Sequence, residues 1–138
     1  MTKQPTILIA DDDCELVTVL ALRARQLGVA VETAHDALSA LNIMRLKAPD
    51  LVCLDVNMPS GSGLSACEML ATEPAWAKIP VIILTGRTDP ETQMRCHQLC
   101  AYYVLKGGDV WSRVEPLVRE LLGIGETVNT KAAAQVAI

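Results

Sequence analysis

Hydrophobic residues in this chain fall into short unbroken runs separated by longer stretches in which they recur every three or four positions. The short runs are typical of strands buried on both faces of a parallel sheet, and the longer stretches are typical of amphipathic helices. Four such runs predict strands at residues 6–10, 51–54, 81–84 and 102–105, and a shorter run that continues into Glu32 and Thr33 predicts one more at residues 29–33. A stretch with helical spacing follows each of them, so the pattern predicts five strand–helix units.

Residues typical of helix ends support this division. Asp36 and Ser62 are preferred N-cap types, Gly28 suits the position after a helix, and Pro90 suits a first helical turn. Each of them lies at an end of a stretch with helical spacing. The predicted boundaries therefore agree with the hydrophobic pattern.

Two finer predictions concern the helices. Ser112 and Glu115 have the spacing of a capping box, so we expect Ser112 to begin the last helix. Apolar residues at helical spacing predict the buried stripes of the second, third and fourth helices, and these stripes include Leu38, Met69 and Met94.

Strict alternation of strands and helices predicts a parallel sheet with right-handed crossovers and helices on both faces. Five units in 138 residues suit a three-layer α/β sandwich built on a doubly wound, flavodoxin-like sheet of strand order 2-1-3-4-5. We predict one domain over residues 5–122. Residues 123–138 show little periodicity and are predicted to form a loosely ordered tail.

Composition narrows the function classes. Apolar residues make up 51% of the chain, enough for an ordinary core, and no apolar run approaches membrane-spanning length. The net charge of −4 argues against a nucleic-acid-binding surface. The five cysteines are odd in number and lack CxxC spacing, and the first six residues are too short and polar for a signal peptide. We therefore expect a cytoplasmic protein with reduced thiols.

Polar residues follow four of the predicted strands at their carboxyl ends, which meet around one crevice in this topology. Asp11 and Asp12 follow the first strand, Asp55 the third, Thr85 the fourth and Lys106 the fifth. Three converging carboxylates repel each other unless a cation joins them, and their oxygens suit Mg²⁺. A lysine and a hydroxyl at the same point would hold phosphoryl oxygens. The set predicts an aspartate nucleophile that accepts a phosphoryl group with Mg²⁺.

Each of these residues also has an ordinary structural explanation. Adjacent acids at the start of a helix are often only partners of the helix dipole, and strand-end aspartates often begin an Asx turn. A lone lysine is usually a solvated surface residue. The coincidence of all these features at the strand ends of one topology favours the functional interpretation.

The sequence resembles the receiver domain of two-component response regulators, of the chemotaxis-regulator type, from about residue 5 to residue 122. Four segments carry the resemblance: Ile-Leu-Ile-Ala-Asp-Asp-Asp at 7–13, Leu-Asp-Val-Asn-Met-Pro-Ser-Gly-Ser-Gly-Leu at 54–64, Ile-Pro-Val-Ile-Ile-Leu-Thr-Gly at 79–86, and Tyr-Val-Leu-Lys at 103–106. The resemblance implies that Asp55 is the phosphoacceptor, with a sensor histidine kinase or a histidine phosphotransfer protein as donor.

The resemblance also implies the metal ligands and the switch residues. Asp12, the Asp55 side chain and the backbone carbonyl of Asn57 would bind Mg²⁺ directly, and Asp11 would act through a metal-bound water. Lys106 would pair with Asp55 before phosphorylation and with the phosphoryl group afterwards. The switch pair would be Thr85 with Tyr103, whose ring swings inward. A downstream protein would bind the face formed by the fourth helix, the fifth strand and the last helix.

Three residues depart from the family pattern. Gly107 stands where proline usually follows the lysine, Gly108 replaces an apolar or aromatic residue, and Cys100 stands where glycine is common. A cis bond costs roughly 2.5–4 kcal/mol before a residue other than proline. We therefore predict a trans Lys106–Gly107 bond, a positive φ at Gly107 or Gly108, and a lysine that still reaches Asp55.

These observations predict a single-domain response regulator that signals by altered protein contacts, without direct nucleic-acid or membrane contact. It would not be an enzyme beyond its own phosphorylation and dephosphorylation. Onward transfer to another histidine and a scaffold that is never phosphorylated are alternatives. An aspartate-dependent phosphohydrolase is disfavoured because Asn57 stands where such enzymes have a second acid. We also hypothesise that Arg87 partly covers the phosphoryl group and slows its hydrolysis. The alternative is a solvated arginine without effect on hydrolysis.

Overall fold

Five parallel strands form the centre of the protein. The computed structural model describes residues 3–58, 61–86 and 90–125. The strands are β1 (Thr6–Ala10), β2 (Ala30–Ala34), β3 (Leu51–Asp55), β4 (Val81–Thr85) and β5 (Tyr102–Leu105). Their order is β2-β1-β3-β4-β5, which confirms the predicted doubly wound topology. The predicted strands differ from these by at most one residue at either end.

Helices connect the strands and cover both faces of the sheet. They are α1 (Cys14–Gln26), α2 (Ala37–Leu46), α3 (Gly63–Thr72), α4 (Pro90–Gln98) and α5 (Val110–Leu122). A two-residue antiparallel ladder between Asn57–Met58 and Gly61–Ser62 precedes α3. Within the described residues, no helix combines the length and the apolar character needed to cross a membrane. Residues 126–138 of the predicted tail lie outside the described part of the chain.

The helix ends agree with the sequence predictions except at α5. Asp36 and Ser62 are the N-caps of α2 and α3, and Gly28 follows α1 with a φ of +85°. The predicted capping box of α5 is wrong. The helix begins one turn earlier, where the Asp109 side chain accepts a hydrogen bond from the Ser112 amide. An aspartate caps a helix as well as a serine does, and Glu115 pairs with Arg119 instead.

The sheet has a separate hydrophobic layer on each face, because successive residues of a strand point to opposite sides. On one face, Leu8, Val52 and Ile83 pack beneath α2, α3 and α4. On the other face, Ile7, Ile9, Cys53, Ile82 and Leu84 pack beneath α1 and α5. Burial on both faces explains the apolar runs of β1, β3 and β4, whereas the edge strand β2 carries the exposed Glu32 and Thr33.

The predicted stripes of α2, α3 and α4 are partly wrong, since Leu38, Met69 and Met94 are exposed. The faces of these helices that contact the sheet carry several smaller residues instead, among them Ala37, Ala40, Ala66, Cys67 and Cys96. Small side chains let a helix approach a sheet closely. A search for large apolar residues therefore includes some that lie outside the buried face.

Candidate functional site

Four neighbouring strands bring their polar end residues to one edge of the sheet. Asp11 follows β1, Asp55 ends β3, Thr85 ends β4 and Lys106 follows β5. The register aligns Asp55 with Leu84, one residue before Thr85, and aligns Thr85 with Leu105, one residue before Lys106. These end residues therefore lie close together at the same edge of the sheet. The predicted site residues therefore come together although Asp11 and Lys106 are far apart in the sequence.

The Lys106 ammonium lies between two carboxylates. Its Nζ is 2.8 Å from Asp11 Oδ2 and 2.9 Å from Asp55 Oδ1. The Lys106 side chain is 23% exposed, whereas the Asp11 side chain is fully buried. The predicted contact between Lys106 and Asp55 is confirmed, and the same ammonium serves Asp11 as well.

Burial and charge perturb these groups. Burial raises the pKa of Asp55 above its ordinary value, and the nearby charge of Asp11 acts in the same direction, against the opposing effect of Lys106. Burial alone would lower the pKa of Lys106, but its close contacts with the Asp11 and Asp55 carboxylates outweigh burial and the pKa is raised. The site therefore holds an excess of negative charge that one lysine does not neutralise.

A third carboxylate completes an acidic cluster. Asp11, Asp12 and Asp55 each offer an oxygen, and these oxygens lie within 4.8 Å of one another. Asp12 is exposed at the mouth of the site, while Asp11 and Asp55 are buried. Asp11 Oδ2 receives no well-formed hydrogen bond from the described residues, and Lys106 meets it only as an ion pair. Excess charge, oxygen ligands and an under-coordinated buried oxygen fit a hard cation such as Mg²⁺.

Gly63 lies directly against the backbone of Asp55. Its amide donates to the Val56 carbonyl at 2.8 Å. A Cβ on Gly63 would overlap the Asp55 carbonyl oxygen and would lie 3.3 Å from the Val56 Cα. Only glycine permits this approach. No local sequence pattern signals this contact.

Two further predicted residues are buried beside the site. Thr85 is almost completely buried, and its backbone carbonyl accepts a hydrogen bond from the Lys106 amide at 2.8 Å. Tyr103 aligns with Ile83 of β4, and its ring is buried in the layer that contacts α4. Asn57 is exposed two residues beyond Asp55. The position of Arg87 lies outside the described residues, so its hypothesis stays a prediction.

A family model with the description "Response regulator receiver domain" matches residues 7–108. This chain belongs to that family. The match includes all five strands except the first residue of β1, and all the residues of the acidic cluster.

Curated relatives support the assignment to this family, and the alignments cover only part of each relative. Protein RcaC of Microchaete diplosiphon is 34% identical over 87 residues, which are 63% of this chain and 13% of the relative. The DNA-binding response regulator MtrA of Mycobacterium tuberculosis is 33% identical over 88 residues, which are 64% of this chain and 37% of the relative. The aligned parts therefore span well under half of these curated relatives.

A solved structure gives the same fold. The signal receiver domain of a DNA-binding response regulator (merR) from Colwellia psychrerythraea superposes with a TM-score of 0.80 at 27% identity. The alignment covers 87% of this chain and 99% of that one. The likeness confirms the receiver fold across nearly the whole of the described chain.

The loop after β5 has the predicted conformation. The described residues contain no cis peptide bond, so the Lys106–Gly107 bond is trans, and Gly107 and Gly108 have φ values of +106° and +59°. Cys100, where glycine is common in receiver domains, also has a positive φ of +57°. These conformations favour glycine, so Cys100 carries some backbone strain.

Sequence reasoning missed two side chains near the site. The Arg113 guanidinium reaches back from α5 to the carbonyl oxygens of Leu105 and Gly107. The ring of His35 lies with Nδ1 3.1 Å from the Asp11 carbonyl oxygen. Neither residue belongs to a local motif, and only the folded chain brings each of them to the strand ends.

Proposed function

We propose that this receiver domain accepts a phosphoryl group on Asp55 in the presence of Mg²⁺ and signals through altered protein contacts. The observation that carries the proposal is the Lys106 ammonium held between Asp11 and Asp55 at a cluster of three carboxylates. A scaffold that never takes up a phosphoryl group has no use for this arrangement. The donor would be a histidine kinase or a phosphotransfer protein.

The transfer is a substitution at phosphorus. An Asp55 carboxylate oxygen attacks the phosphorus of a phosphohistidine whose other ring nitrogen is protonated. The P–O bond forms, the P–N bond breaks with its electron pair staying on nitrogen, and the donor leaves as neutral imidazole. Lys106 then pairs with a phosphoryl oxygen, and the Thr85 hydroxyl supplies a further hydrogen bond. Attack of water on the acyl phosphate returns the Asp55 carboxylate and inorganic phosphate.

A divalent cation would neutralise the remaining charge of this site. Asp12, the Asp55 side chain and the Asn57 carbonyl would hold Mg²⁺, with Asp11 acting through a bound water. When bound, Mg²⁺ offsets the charge on the transferring phosphoryl oxygens. Until then, Lys106 holds two of the three carboxylates in place.

Signalling would pass through Thr85 and Tyr103. Both are buried on adjacent strands, and the Tyr103 ring packs in the same layer as Cys96 of α4. Movement of Thr85 toward a phosphoryl group would therefore change the packing beneath the face formed by α4, β5 and α5. We propose that this face binds a protein partner rather than nucleic acid, in line with the net charge of −4. Five free thiols favour a cytoplasmic location.

Intact-mass spectrometry of the protein with acetyl phosphate and Mg²⁺ tests the reaction. We expect a gain of one phosphoryl group that hydroxylamine removes, as it does from an acyl phosphate. Steady release of inorganic phosphate with no lasting mass gain would indicate a phosphohydrolase. No mass gain and no release of phosphate would support the unphosphorylated scaffold.

Replacing Asp12 with asparagine should weaken Mg²⁺ binding roughly 100-fold and slow phosphoryl uptake in parallel, because even indirect partners of a metal change its affinity about 10–100-fold. Isothermal titration calorimetry measures the binding. Asp13→Asn is the matched control, since it removes a neighbouring charge while asparagine can still cap α1 through Leu16. Equal losses in the two variants would show a general charge effect and would exclude Asp12 as a ligand.

A further inference from the structure

Arg113 binds both carbonyl groups that flank Lys106. Its Nε and Nη2 donate to the Leu105 carbonyl at 3.1 and 2.9 Å, and Nη2 also donates to the Gly107 carbonyl. Arg113 is partly buried and lies in the first turn of α5. The guanidinium therefore joins α5 to the last residue of β5 and to the loop that follows it.

Two adjacent glycines give this loop little conformational restraint of its own. Gly107 and Gly108 both have positive φ, and adjacent glycines are more flexible than the proline-containing pair usual in receiver domains. β5 is an edge strand, so it has a strand neighbour on one side only. On the side of its neighbour β4, the Thr85 carbonyl accepts a hydrogen bond from the Lys106 amide at 2.8 Å. Arg113 supplies a second anchor for the same backbone.

The position of Lys106 matters to the chemistry. Its Nζ must remain within hydrogen-bond distance of both Asp11 and Asp55, and a displacement of about 1 Å at a reacting centre can cost roughly 10²-fold in rate. A long, flexible side chain keeps this position only if its backbone is fixed. The Thr85 carbonyl and the Arg113 guanidinium both hold that backbone.

We propose that Arg113 is a positioning residue for phosphoryl uptake, which holds Lys106 in place through the Leu105 and Gly107 carbonyls. The proposal rests on the proposed function of Asp55 and Lys106. Arginine suits the task because its planar guanidinium presents several donors in a fixed geometry, whereas a lysine ammonium is a single point charge. Arg113 touches no reacting atom and acts only through the backbone of Lys106.

The test compares Arg113→Gln with Arg113→Lys and with Arg119→Gln. Arg119 lies on the same helix and pairs with Glu115, so its replacement removes an arginine of α5 without touching the loop. We expect Arg113→Gln to lower the maximal rate of uptake from acetyl phosphate roughly 10-fold or more. Mg²⁺ affinity should stay near the parent value, since Lys106 is not a metal ligand. Arg113→Lys should give an uptake rate between those of the parent and Arg113→Gln, and the rate of Arg119→Gln should match that of the parent.

Other results would overturn the proposal. Parent-like uptake by Arg113→Gln would show that the contact is structural only. An equal loss in Arg119→Gln, or a parallel loss of Mg²⁺ affinity and melting temperature, would show general destabilisation.

Two measurements test the positioning role of Arg113 even if the parent takes up no phosphoryl group. Amide hydrogen exchange at residues 107–109 should accelerate in Arg113→Gln, and its crystal structure should show Lys106 Nζ displaced from Asp55. An unchanged loop and lysine would refute the positioning role, whatever the outcome for the proposed function.

Discussion

Asp55→Asn is expected to abolish phosphoryl uptake and, at the same time, to make the Mg²⁺-free protein more stable. The loss of uptake follows because an amide oxygen is far less nucleophilic than a carboxylate. The gain in stability follows because Asp55 is a buried carboxylate beside the fully buried Asp11, and one ammonium serves both. A variant that loses its chemistry and gains stability is typical of a strained functional site.

The pH dependence has a definite sign. Because the pKa of Asp55 is raised in the folded state, its contribution favours folding below the ordinary aspartate pKa and is lost as the pH rises through the folded value. The free energy of unfolding of Asp55→Asn should therefore exceed that of the parent at neutral pH by about 1–3 kcal/mol, or several degrees in melting temperature. The two free energies should converge in acid. Added Mg²⁺ should raise the melting temperature of the parent more than that of the variant.

Asp50→Asn is the matched control for this variant. Asp50 lies at the opposite end of β3, just before the strand begins, and its carboxylate accepts a hydrogen bond from the Thr6 amide at 2.8 Å. An asparagine oxygen can accept the same bond, so this control should leave phosphoryl uptake intact and give no gain in stability. Continued uptake by Asp55→Asn, measured by intact mass, would exclude Asp55 as the acceptor.

Gly63→Ala is expected to destabilise the protein by roughly 3 kcal/mol or more, because its Cβ would overlap the Asp55 carbonyl group. Backbone atoms cannot move aside as a flexible side chain can, so either α3 or the end of β3 must shift. A shift of β3 would displace the Asp55 carboxylate. Urea denaturation measures the stability, and the intact mass of the folded fraction measures uptake.

Gly86→Ala provides the comparison for folding. Gly86 has open space where a Cβ would lie, so this change should alter the free energy of unfolding little. Similar losses of stability in both variants would point to a general cost of removing glycine. A parent-like Gly63→Ala would show that the close approach to Asp55 does not constrain the fold.

The sequence predicts most of the framework because buried parallel strands leave an unmistakable pattern. Unbroken apolar runs mark every strand except the edge strand β2, which carries the exposed Glu32 and Thr33. The topology then brings Asp11, Asp55 and Lys106 together without knowledge of any side-chain position. The helix faces were harder to predict. Small residues such as Ala40 and Cys96 line the sheet there, and a search for large apolar residues does not find them.

Contacts between distant segments escape sequence reasoning altogether. The fit of Gly63 against Asp55 depends on how closely α3 approaches the end of β3. The Arg113 contact depends on where α5 turns back over β5. The start of α5 was misjudged for a local reason, because Asp109 and Ser112 are both good caps and the pattern does not rank them.

The two core layers make the cysteines natural reporters of local opening. Cys53 lies beneath α1 and α5, whereas Cys67 and Cys96 lie on the opposite side of the sheet. Burial raises the pKa of Cys53, and raises those of Cys67 and Cys96 to about 12 and about 11, so these thiols react only when their layer opens. The exposed Cys14 and Cys100 would react first and provide an internal reference. Alkylation rates would then give a separate opening free energy for each side of the sheet.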